Sequence, residues 1–239
     1  MRSVLDRLAG AEPHLTLLSD AQSASASKVA IRMALEQIAR QATPNDTFVM
    51  SFSGHGYTDR NGHFYILPSD FAGQCSVPSE ESALSTAISS DEIAQWLRAI
   101  DAGQMVVILD TCYSAASVDD GNFKPGPLGN AGLGQLAYDK RMRILTASQA
   151  DQKAEKSTLG AGLLTYSLVS GLNQGSADRS PKDGKIYLRE WLRYAVQYVP
   201  QLYKQKYHGK VAGQIGQTPD LFDFNQENDN GPLLSEIAQ

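Results

Sequence analysis

The stretch "QMVVILDTCYS", residues 104–114, decides the fold. Met105 to Leu109 are consecutive apolar residues, three of them β-branched, with none of the polar alternation a one-sided strand would show. Such a run reads as a strand buried on both faces, the habit of a parallel sheet covered by helices. At Asp110 the chemistry changes abruptly, and Thr111, Cys112, Tyr113 and Ser114 follow. The strand therefore delivers polar groups and a thiol to the carboxyl edge of the sheet, where open α/β sheets gather their chemistry.

Working outward, strands and helices alternate. "HLTLL" (14–18), "DTFVMSF" (46–52), "HFYILPSD" (63–70) and "MRILTAS" (142–148) are short apolar runs expected to be strands, and Asn61-Gly62 is a turn signal. "SKVAIRMALEQIAR" places Ile31, Ala34, Leu35 and Ile38 at helical spacing behind Ser27, a suitable N-cap. "SSDEIAQWLRAI" opens with a capping-box pattern from Ser89 to Glu92. "GLLTYSLVSGL" predicts a helix ending near Gly171, and "YLREWLRYAVQYVPQLY" a long amphipathic one with Leu188, Trp191, Leu192, Ala195, Val196 and Val199 on one stripe. "QTPDLFDF" is expected to add a last edge strand. The alternation predicts an α/β fold, a three-layer α/β/α sandwich on a mostly parallel central sheet. Residues 118–135, crowded with glycine and proline, read as an irregular loop. No internal repeat and no second domain is visible.

Composition bounds the function. A hydrophobic fraction of 42% and a charged fraction of 20% are those of an ordinary soluble globule. A net charge of −5 argues against a nucleic-acid partner, because phosphate binding wants a basic face. No apolar stretch reaches the length of a membrane span or a signal peptide, so no membrane partner and a cytoplasmic location are expected. Cys75 and Cys112 form neither a disulfide framework nor a zinc-site spacing, and no metal ligands are assigned.

Two strand ends carry complementary chemistry. "SFSGHG" (51–56) ends on His55 between Gly54 and Gly56, which imply special backbone angles or the close approach of another chain. The other end carries Cys112. An imidazole beside a thiol can draw off its proton, and the thiolate is the nucleophile. A lone buried cysteine packing as a small hydrophobe, and a satisfied or surface histidine, are the bland alternatives.

"SFSGHG" followed by "VVILDTCYSAAS" resembles the caspase-like cysteine peptidases, and the metacaspase and bacterial branch more than animal caspases. Animal caspases share the histidine-to-cysteine spacing of roughly 50 residues but not the flanking residues. The resemblance extends over about residues 4 to 225, through "ILTASQADQKAEKS", "GLLTYSLVSGL" and "QTPDLF". It implies one peptidase domain: a large-subunit-like part at 1–117, an interdomain loop at 118–140, a small-subunit-like part at 141–225 and a tail at 226–239. It implies Cys112 as nucleophile, His55 as its catalytic partner, and the backbone N–H groups of Gly56 and Cys112 as the oxyanion hole. Ser53 and Asp110, with Asp151 as a further candidate, match the primary pocket, and a carboxylate there would select Arg or Lys at the cleavage position.

The resemblance implies a protein or peptide substrate and no required cofactor. Calcium activation is common in metacaspases, but "DRSPKDG" (178–184) is only superficially like a calcium loop. Two departures stand out: Ala115 replaces the glycine after Cys-x-Ser, and the family's usual first strand is missing before "SVLDRLAG". The missing strand raises an upstream domain or a regulatory protein partner as an expectation. Self-cleavage in the 118–135 loop or in the basic "YDKRMR" run beside it, with Lys124, Lys140 and Arg141 as cutting points, is a further one. The competing readings are a non-catalytic caspase-homology scaffold and another thiol hydrolase, such as an amidase, on a similar sheet.

Overall fold

The apolar run at residues 105–109 lies inside one long strand, buried from Met105 through Thr111. A computed structural model describes residues 14–19, 25–59, 61–72, 79–115, 131–147, 161–179, 181–207, 216–225 and 230–237. In chain order the elements are α1 (Lys28–Ala39), β1 (Thr47–Thr58), β2 (Phe64–Leu67), α2 (Glu80–Leu84), β3 (Ile88–Ser89) and α3 (Ser90–Arg98). β4 (Gln104–Ala115), α4 (Ala131–Asp139), β5 (Arg143–Thr146), α5 (Leu163–Asn173) and β6 (Lys185–Tyr187) follow. The last are α6 (Leu188–Tyr207), β7 (Asp220–Asp223) and β8 (Leu233–Glu236).

The main sheet has the order β3-β2-β1-β4-β5-β7. β4 pairs in parallel with β1 and with β5, while β2, β3 and β7 join by antiparallel pairings at the flanks. β1, β3, β4 and β5 thus share one direction, and the parallel centre is the part that carries the long buried strand. β6 and β8 make a separate two-stranded sheet.

Alternation along β4 builds the two cores. Met105, Val107 and Leu109 pack with Ile31 and Leu35 of α1, Ile93 and Leu97 of α3 and Leu133 and Leu136 of α4. Val106 and Ile108 pack on the other face with Leu163, Leu164 and Leu168 of α5 and Trp191, Leu192 and Val199 of α6. Successive residues of a strand point to opposite faces, so a run apolar at every position is required when helices cover both. The three-layer α/β/α arrangement follows.

The local signals act as expected at the helix starts. Ser27 caps α1 by accepting from the Ala30 N–H, and Ser89 and Glu92 form a full capping box on α3. Elsewhere the structure differs. "HLTLL" is not a strand: residues 14–19 lie outside any ladder, and among the described residues nothing pairs with β1 over 47–54 on the side away from β4. The expected irregular loop ends by residue 131, because Leu133, Leu136 and Ala137 bury against the sheet and draw a glycine-containing segment into α4. α5 runs through Gly171 to Asn173, since that glycine lets the helix close on the Tyr194 ring.

At the base of the sheet, Arg143 is fully buried with its Nε 3.3 Å from Asp223 Oδ1, and its guanidinium donates to Gln104 Oε1. Arg189 Nε lies 3.0 Å from Asp223 Oδ2, so two guanidiniums share one carboxylate. Removing that carboxylate leaves a buried cation without its counter-charge. Asp223→Asn is expected to lower unfolding stability by about 3 kcal/mol, which urea denaturation would read. A loss within experimental error would show that the pairing contributes nothing.

Candidate active site

β1 and β4 pair in unbroken parallel register from Thr47↔Gln104 to Thr58↔Ala115. That register sets His55 opposite Cys112 and Ser53 opposite Asp110. Neighbouring strands lie about 4.8 Å apart, so these four positions form one short row across the two strands. His55 and Ser53 are exposed there. Among the described residues no carboxylate hydrogen-bonds or ion-pairs with His55.

The glycines beside His55 do not adopt left-handed angles, contrary to one of the two sequence expectations. Gly62, Gly175, Gly184 and Gly231 are the glycines with positive φ among the described residues. Gly54 does not meet another segment either: a Cβ there would come 2.9 Å from the ring of Phe52 on its own strand. Gly56 is buried, flanked by Ile66 of β2 and Tyr113 of β4.

Asp110 is the most constrained of the expected site residues. It is 5% exposed, and its Oδ2 accepts the Thr165 backbone N–H at 3.0 Å and the Thr165 hydroxyl at 2.5 Å. Gly162 is the N-cap of α5 and provides no side-chain cap. The N–H that an N-cap side chain would normally satisfy is that of Thr165, so Asp110 caps α5 from another element. A Cβ on Gly162 would come 2.3 Å from Asp110 Oδ2, so only glycine admits the carboxylate. Burial pushes the Asp110 carboxyl above the ordinary carboxylate range, and the two Thr165 hydrogen bonds pull it partly back. Among the described residues no cation pairs with it.

The other candidates divide. Cys112 takes its register position on β4, while Asp151 and Cys75 lie outside the described residues. His63 Nδ1 sits 2.9 Å from Asp59 Oδ2, and Asp59 also accepts the Asn61 and His63 backbone N–H groups, so this histidine belongs to the hairpin turn. In the superficially calcium-like loop, the Asp178 carboxylate accepts the Asp183 and Gly184 N–H groups. Among the described residues no three His, Cys, Asp or Glu side chains are grouped to hold a metal. No helix among them is long and apolar enough to cross a membrane. Thr165 and Gly162 escaped the sequence reading. The one local hint was a helix opening on glycine where Ser, Thr, Asp or Asn would be usual.

The fold is that of an α/β protein whose adjacent parallel strands carry a histidine and a cysteine at paired positions three residues before their ends. The family described as metacaspase, peptidase C14 domain, matches residues 1–120, a span holding both strand ends. The chain belongs to that family. No curated protein matches it. Among solved structures, the crystal structure of protein GSU0716 from Geobacter sulfurreducens is similar at 18% identity with a TM-score of 0.47. The match covers 82% of this chain and 73% of that one.

The packing of Asp110 against Gly162 yields a direct test. Gly162→Ala must displace either the carboxylate or the first turn of α5, and a destabilisation of about 1–3 kcal/mol is expected. Thermal unfolding would measure it. An unchanged midpoint would show that the close approach is not maintained in solution.

Proposed function

We propose that this metacaspase-family chain is a cysteine endopeptidase that cleaves proteins after Arg or Lys. The observation that supports it most is the β1–β4 register, with His55 opposite Cys112 and the buried Asp110 one alternate position earlier. In this mechanism the Cys112 thiolate attacks the scissile carbonyl carbon and forms a C–S bond. The carbonyl electrons move to oxygen, and backbone N–H groups of Gly56 and Cys112 stabilise the oxyanion. His55 protonates the departing amine, and water then hydrolyses the acyl-enzyme.

Asp110 supplies the reason for basic specificity. A carboxylate held in a mostly desolvated position gains from a cation that arrives with its own charge. Ser53, opposite it on β1, adds a hydroxyl at the exposed rim. Asp151 is a further pocket candidate. The substrate is a protein or peptide, no cofactor enters the mechanism, and activation by self-cleavage or by a protein partner is part of the same reading.

Incubation with an arginyl chloromethylketone followed by intact-mass analysis is the first test. One adduct on the wild type and none on Cys112→Ala is expected. Absence of labelling together with no cleavage of arginyl, lysyl or aspartyl peptides would favour the non-catalytic scaffold reading.

A second test separates function from stability. A carboxyl raised by burial helps folding only while protonated, so its contribution is present below the ordinary carboxylate range and is lost as pH rises through its own pKa. Asp110→Asn should therefore match the wild type in acid and become the more stable protein as pH rises toward neutrality. Its cleavage after Arg should fall at least tenfold. Denaturant midpoints across the pH range check the first statement, and kcat/KM at neutral pH checks the second.

A further inference from the structure

We propose that Thr165 is a positioning residue for primary specificity: it holds the Asp110 carboxylate by one oxygen and leaves the other to meet the basic side chain. This rests on the peptidase reading above and extends it to a residue on a different element. Both hydrogen bonds from Thr165, through its N–H and its hydroxyl, fall on Oδ2. Oδ1 accepts nothing among the described residues. A carboxylate anchored through one oxygen cannot rotate about its χ2, so its second oxygen keeps one direction. Gly162 closes the other side, its missing Cβ leaving room for Cγ and both oxygens, which lie within 2.3–2.6 Å of where that atom would stand.

Thr165 is suited to this in a way other cap partners are not. As the third residue of α5 it has a backbone N–H with no partner inside the helix, and its own hydroxyl points at the same acceptor. The N-terminal end of a helix also favours negative charge, so the cap and the charged state of Asp110 support each other. The surroundings add no competing charge among the described residues. α5 has Tyr166 as its titratable side chain, β1 brings His55 one alternate position beyond Ser53, β4 brings Cys112 one alternate position beyond Asp110, and β5 carries its one charged residue, Arg143, at the end away from Asp110, paired with Asp223. Among the described residues Thr165 is thus the group that offsets the burial of Asp110.

Thr165→Val keeps the volume and the N–H but removes the hydroxyl. With a charge-assisted hydrogen bond lost, the acid limb of kcat/KM for an arginyl peptide is expected to move upward by about one pH unit. At a pH on that limb the arginyl rate should drop about tenfold, mainly through KM. Thr165→Ser should restore the wild-type profile. A purely structural role would lower thermal stability and leave the pH limb in place, and that result overturns the proposal. A direct 13C titration of the Asp110 carboxyl in wild type and Thr165→Val needs no activity at all. An unmoved carboxyl titration also overturns the proposal. An upward-moved titration in a protein whose Asp110→Asn variant still prefers Arg would sustain the Thr165–Asp110 link and reject the basic-specificity reading instead.

Discussion

The structure depends on the parallel register between β1 and β4. Twelve residue pairs align without a bulge, and slipping that register by one position would move every side chain of one strand to the opposite face. The apolar faces hold it in place: Val106 and Ile108 are committed to the α5–α6 side, and Met105, Val107 and Leu109 to the α1–α3–α4 side. The juxtaposition of His55 and Cys112 is a by-product of that packing. Core residues well below these two positions set it.

Asp110 marks where the buried strand meets the candidate site. It is buried like the residues before it, yet it carries a carboxylate that desolvation penalises. The compensation comes from α5, an element far away in sequence, whose first turn lacks a cap of its own. A helix without a side-chain cap and a strand with a costly acid satisfy each other. The same contact ties the strand that bears Cys112 to the helical layer behind it.

Much of this was legible in the residues, for identifiable reasons. The apolar run before Asp110 is short and rich in β-branched residues, which favours a strand covered twice, and Ser27 and Ser89 mark their helices because capping is a local interaction. The paired strand ends were legible because both motifs sit directly after apolar runs. The failures were non-local. "HLTLL" has a strand-like composition, but a strand exists only with a ladder partner. The start of α4 carries two glycines that argue against a helix, and the burial of Leu133 and Leu136 outweighs them. The bond between Asp110 and Thr165 joins residues 55 apart in the chain, so no window-based pattern could show it.

The seam between β4 and β5 has a consequence for a chain that is cut. Val106 to Leu109 pair in parallel with Arg143 to Thr146, Gln104 holds Arg143, Lys140 donates to the Ile100 carbonyl and Asp110 holds Thr165. All of these cross from the part before residue 116 to the part after residue 130, and none needs the peptide bonds between. A nick in that interval would convert one polypeptide into two that remain mated, much as complementary fragments reassemble a severed domain. What the nick would change is chain entropy: it lifts the closure constraint between the two parts, whose entropic cost grows only logarithmically with the number of residues closed. Proteolysis there would leave the buried seam between β4 and β5 to keep the halves in register.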